Sequence, residues 1–257
     1  MTSVHLSLGQ VAGALVLVAI AAAASLWRRA EFEGDILVAV FRSFIQLTAV
    51  GYVIQAIFDS DSLILVVVLL AFMVTFGAWT ARGRAKTVPR AFVPLLIALA
   101  TAAAVTLILV LVLGVFDPKA RYLVPVGGMV IGNAMTAAAV ALNRLGDEVH
   151  DQAGLIEATL SLGATSRQAS AGLVSRALRS GLIPLIDQTK TTGMVFFPGA
   201  MVGALLGGAS PINAVRLQLI LLWTLMGAAS ISALIATTLA QGRFFTSAHQ
   251  LEEPPAP

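Results

Sequence analysis

Seven apolar runs of about 20 residues set the terms for this chain, because a helix of that length rises about 30 Å and crosses the hydrocarbon of a bilayer. They are Leu6–Trp27, Ile36–Phe58, Ser62–Ala81, Phe92–Phe116, Tyr122–Leu142, Gly193–Ala209 and Ala214–Ala240. The sixth is the shortest, and the last is long enough to tilt or protrude. Between them the chain is 58% hydrophobic and only 11% charged, where a soluble domain is nearer a quarter charged. The expected fold is all-α: a polytopic integral membrane protein with about seven transmembrane helices.

Charge orients the set. Arg28, Arg29, Arg82, Arg84, Lys86, Arg90, Arg144, Arg167, Arg176, Arg179, Lys190 and Arg243 fall on one side. Asp59, Asp61, Asp117, Lys119 and Arg121 fall on the other. The positive-inside rule then puts the N-terminus outside and the C-terminus in the cytosol. No Lys or Arg precedes the first run and Arg28 and Arg29 follow it, so a retained helix is expected rather than a cleaved signal peptide. The net charge of +3 is spread in short clusters, which read as orientation signals and not as a nucleic-acid surface. Residues 1–246 are expected as the membrane domain. The tail, 247–257, ends in Glu252-Glu253-Pro254-Pro255-Ala256-Pro257 and is expected to be disordered.

The segment from about 143 to 192 is the one sizeable water-compatible stretch, expected in the cytosol. About 50 residues cannot easily bury a core alone, so it must pack on the membrane helices or on a partner. Leu155, Ile156, Thr159, Leu160 and Leu162 give a helix-compatible apolar face, with Glu157 off it. Gly163 is expected to end or bend that helix, and a second helix to start near Ser166 and to kink or end at Pro184. Small residues four apart, Gly128 with Gly132 and Gly199 with Gly203 and Gly207, predict close helix packing, within one subunit or between two.

Composition also excludes. With no Cys, disulfides, thiolate metal sites and a Cys nucleophile are absent. No Lys stands in a phosphate-binding loop. The thirteen acidic residues fall in loops, at run ends or in the polar segment, and only Asp187 is placed to be drawn inward. That leaves little means of coupling to protons or sodium, the device of a secondary transporter. His5, His150 and His249 lie outside the runs, which argues against an intramembrane enzyme. The last run has Arg216 and no Lys, which argues against a retinal protein. Polar groups inside or near runs are pathway candidates: Arg42 and Gln46, four apart on one helix face, Asn133, Asp187 and Lys190. Snorkelling to the interface is the plain alternative for Arg42. Asp147, Glu148, Asp151 and Glu157 form an acidic group that is either a cation attractor or a solvated loop, and no metal-ligand cluster is visible.

Two resemblances add to this. Glu157-Ala158-Thr159-Leu160-Ser161-Leu162-Gly163-Ala164-Thr165 resembles the loop by which ABC importer permeases meet their ATPase, although Thr159 replaces an Ala and Pro184 stands further from the Gly than in those loops. More widely, Arg42-Ser43-Phe44-Ile45-Gln46-Leu47, Gly128 through Met135, Ser161-Leu162-Gly163-Ala164-Thr165, Pro184 with Asp187, Lys190 and Gly193, and Pro198 through Gly203 resemble the FetB-type permease family, from about Arg42 to Arg243. That family comprises bacterial permeases implicated in iron export and plant aluminium-tolerance proteins linked to nucleotide-sugar transport. The resemblance implies the permease subunit of an ATP-driven ABC transporter in the inner (plasma) membrane that exports metal ions, with iron as the expected substrate and a nucleotide sugar as the alternative. It implies a homodimer with a soluble ABC ATPase as partner. ATP and Mg would sit on that partner, and this chain would bind no cofactor. Glu157, Ala158, Leu160, Leu162, Gly163, Ala164 and Thr165 would form the ATPase-coupling element.

Overall fold

The computed structural model describes residues 8–28, 33–60, 62–246 and 248–252. Met1 to Ser7, Arg29, Asp61 and the tail from Glu253 onward lie outside them. The described residues are almost entirely helical and divide into two units, 1–60 and 61–257.

In the first unit α1 (Leu8–Arg28) and α2 (Glu33–Ser60) pack on one another. The second unit holds α3 (Leu63–Arg84), α4 (Phe92–Val112), α5 (Ala120–Asp151), α6 (Ala153–Ser161), α7 (Ser166–Thr191), α8 (Gly199–Leu206) and α9 (Pro211–Gln241), with a closing 3-10 turn, Gly242–Phe244. Among the described residues five helices, α2, α3, α4, α5 and α9 with its turn, are long and apolar enough to cross a membrane.

Helix α5 is the axis of the second unit, packing on α3, α4, α7 and α9. Its seams are built on alanine. Ala134, Ala137, Ala138 and Ala141 of α5 are buried, as are Ala98 and Ala102 of α4 and Ala229, Ala233, Ala236 and Ala240 of α9. Small residues three and four apart let backbones approach closely in lipid. Glycine serves where even a methyl group would not fit. A Cβ at Gly181 of α7 would lie 2.6 Å from the Ala137 carbonyl oxygen and 2.9 Å from the Ala141 Cβ. Gly127 meets Leu70 and Gly146 meets Thr87 in the same way.

One expectation changes. Gly193–Ala209 is not one spanning helix. Gly193 takes φ +86°, residues 192–198 are non-helical, and α8 has eight residues. Eight residues rise about 12 Å, too little to cross. Of the two outcomes expected at Pro184, a kink or an end, the end is excluded: Pro184 lies inside α7, which runs on to Thr191. The 143–192 segment packs on the long helices, one of the two outcomes expected of it. Ser170, Leu173, Ala177, Gly181 and Leu185 form a buried face of α7, and Leu185 shares a cluster with Ala137, Ala141, Ala229 and Ala233. The expected need to pack on membrane helices is thereby met.

Candidate coupling site

Helix α6 spans nine residues and turns one face to the protein. Ile156 is buried, and Leu160 packs at the edge of the core. The other face is open: Leu155, Glu157, Ala158, Ser161 and Gly163 are exposed, and Leu162 is 89% exposed. The expected apolar face therefore splits, with Leu155 and Leu162 outward and only Ile156 fully covered.

The turn after α6 is fixed at both ends. Gly163 takes φ +90°, a conformation costly for any residue with a Cβ. Its N–H donates to the Leu160 carbonyl (2.9 Å) and the Ala164 N–H to the Thr159 carbonyl (3.3 Å), the two-bond closure of a Schellman motif. Thr165 then caps α7. The Gln168 N–H donates to Thr165 Oγ1 (3.3 Å), and the Thr165 N–H donates to Gln168 Oε1 (2.9 Å), a reciprocal capping box. Four residues thus carry the chain from one helix to the next with little freedom left.

This elbow is seated on the ends of α5 and α9. The Glu148 side chain, 5% exposed, accepts from Arg144 Nη2 (2.7 Å) on its own helix and from Arg176 Nε (3.0 Å) and Nη2 (2.8 Å) of α7. Gln152 Nε2 also donates to it (2.6 Å). Gln241 at the end of α9 donates to Ser170 Oγ (2.7 Å). Beyond it the chain folds back: Phe244 is fully buried, Phe245 bridges to Leu251, and His249 Nδ1 lies 3.0 Å from Ser166 Oγ. Residues 248–252, assigned by sequence to a disordered tail, are held in this turn. Between it and α6 lies a cavity of about 450 Å³, lined by Glu157, Leu160, Ser161, Ala164, His249 and Leu251.

The remaining sequence candidates are dispersed. Arg42 and Gln46 are exposed on α2. Asn133 Nδ2 donates to the Met129 carbonyl of its own helix (2.9 Å). Asp187 pairs with Lys190 one turn on (3.5 Å). Of the glycines, Gly128 faces Met73, whose Cε would lie 3.2 Å from a Cβ placed there, whereas Gly132, Gly199 and Gly203 face open space and Gly207 meets only its own helix. Among the described residues no three His, Asp or Glu side chains gather to hold a metal. Sequence reading passed over the Glu148 joint, whose local signal was Arg144, Glu148 and Gln152 at four-residue spacing. It also passed over Gln218 in α9, which is buried with Oε1 unpartnered among the described residues.

A family model described as uncharacterised protein family UPF0014 matches residues 8–245. The chain belongs to this family. UPF0014 relatives cover nearly all of it. It is 42% identical to the UPF0014 membrane protein STAR2 of Oryza sativa subsp. japonica, over 93% of this chain and 84% of that one. It is 39% identical to the protein ALUMINUM SENSITIVE 3 of Arabidopsis thaliana, over 94% and 88%. It is 37% identical to the probable iron export permease protein FetB of Escherichia coli (strain K12), over 98% and 97%. No solved structure matches.

Proposed function

We propose that this UPF0014 protein is the permease subunit of an ATP-driven ABC transporter of the inner (plasma) membrane, and that it exports metal ions, iron foremost. The observation that carries the reading is the α6–α7 elbow. An open helix face, with Glu157 and Leu162 outward, is locked by a glycine turn and a capping box and is joined to the central helix α5 through Glu148 and Arg176. A permease without a nucleotide site must receive its work through such a rigid part. A soluble ABC ATPase docks there in this reading, and ATP with Mg is bound on that subunit. Its closure displaces the elbow, and α7 carries the displacement to α5 and α9 through the Gly181 seam. Two permeases and two ATPases make the working unit. Iron as cargo rests on the relative named an iron export permease.

The test is co-expression with the candidate ATPase, followed by co-purification in mild detergent and iron content of cells. Cells lacking the protein should retain more iron than cells carrying it. A well-inserted protein that captures no ATPase, with iron unchanged by its loss, would remove the reading.

A further inference from the structure

Helix α7 begins at the polar elbow and runs back along α5. The register is fixed at three points: Arg176 joins Glu148, Gly181 lies against Ala141 and Ala137, and Leu185 clusters with Ala137. Advancing along α7 therefore means descending α5. Asp187 lies six residues past Gly181, a rise of about 9 Å, and the same rise down α5 reaches about Asn133. That is the middle of the Tyr122–Leu142 apolar run. Asp187 and Lys190 are thus level with the middle of that run, on the side of α7 opposite its buried face. Their side chains are 63% and 70% exposed, and Gln188 and Thr191 beside them are exposed too. An exposed ion pair at that depth is costly against hydrocarbon; such groups face water or protein. Just beyond, the helix stops, and residues 192–198 are non-helical. Broken backbone at membrane depth is tolerated where it lines a water-filled cavity or is covered by protein.

We propose that this face of α7 borders the aqueous route through the membrane, and that Asp187 is a station on it for a hydrated cation, with Lys190 as the resident counterion that the cation displaces. A single carboxylate paired at 3.5 Å suits transient binding by a largely hydrated, oxygen-preferring ion. The cation class rests on the metal-export reading above; the water-facing placement rests on the α5–α7 register and on the apolar run that α5 carries.

The chain has no Cys, so single cysteines report on a silent background. Asp187→Cys and Lys190→Cys would be treated in membranes with a charged, water-soluble methanethiosulfonate and, separately, with a lipophilic maleimide. Ile108→Cys, on an exposed apolar position of α4, is the lipid control, and Ala171→Cys, exposed near the start of α7, is the water control. The α7 positions should react with the charged reagent at least about tenfold faster than Ile108→Cys, because only a hydrated thiolate attacks it. Reaction with the lipophilic reagent alone, or with neither, overturns the placement. In a second arm manganese(II), a hard probe with little affinity for thiols, should slow labelling of Lys190→Cys, and Asp187→Asn in the same chain should abolish that protection. Rapid labelling that manganese does not slow overturns the cation station. Neither arm depends on ATPase capture, so failure of this inference is distinct from failure of the transporter reading.

Discussion

Glu148→Gln keeps the shape of the side chain and removes the charge that Arg144 and Arg176 face. Both guanidinium groups are about half exposed, so solvent screens part of the loss, and the cost is expected at about 1–2 kcal/mol. Arg144→Gln removes a same-helix pair and should cost less, about 0.3–0.5 kcal/mol. Thermal unfolding in detergent reads both, and equal midpoints for the two variants would show that the α5–α7 joint carries no special weight. Gly181→Ala should cost about 1–3 kcal/mol by overpacking, whereas Gly203→Ala, facing open space, should leave the midpoint unchanged. Residues of this kind were half legible in sequence. Arg144 and Glu148 announce themselves by spacing, but Arg176 comes from a different helix, and nothing local shows that it reaches Glu148. The glycine pattern points elsewhere: Gly199 and Gly203 have the spacing of a packing seam but face open space within this subunit, whereas its internal seams are alanine stripes that composition alone makes unremarkable.

At the scale of elements, one short device recurs. Gly163-Ala164-Thr165 ends α6 and caps α7; Gly208-Ala209-Ser210 ends α8 and caps α9. In both the Gly has positive φ, +90° and +89°, the next N–H reaches back five residues, and the hydroxyl accepts from the N–H three residues on. The first was readable in sequence because polar residues surround it. The second was concealed in a run apolar enough to pass for a single span, because hydrophobicity and backbone continuity are separate properties and two glycines with Pro198 decide the latter. The pair makes a controlled experiment. Gly163→Val and Gly208→Val impose the same left-handed strain, about 1–2 kcal/mol. Only Gly163→Val should weaken ATPase capture, with both proteins still inserted. Equal capture by the two variants would mean that the α6 elbow is not the docking element.

At the scale of the whole molecule, the direction of each helix in the second unit follows from its contacts. The end of α9 meets the start of α7 through Gln241 and Ser170, and the end of α5 meets α7 through Glu148 and Arg176. Helices α5 and α9 therefore finish at the same end. Helix α9 has 31 residues and extends about 46 Å, so its start at Pro211 is at the far side of the bilayer. The chain must return between Asp151 and Pro211, and no single helix there is apolar and long enough among the spans recognised. We predict that the return is made in two pieces, the second half of α7 and then α8, with the non-helical residues 192–198 between them. The crossing that sequence reading placed in one run is thus divided between the end of α7 and α8. With Arg82, Arg84, Arg144 and Arg243 at the shared end, the positive-inside rule predicts that this end is cytosolic. A fluorescent reporter active only in the cytosol, fused after Pro257, should be bright. Ala209→Cys, between α8 and α9, and Asp117→Cys, between α4 and α5, should react with an impermeant thiol reagent from outside intact spheroplasts, and Ala171→Cys only after lysis. A bright C-terminus with Ala209→Cys silent from outside would mean that α7 and α8 form a re-entrant loop, and the two-piece crossing would have to be abandoned.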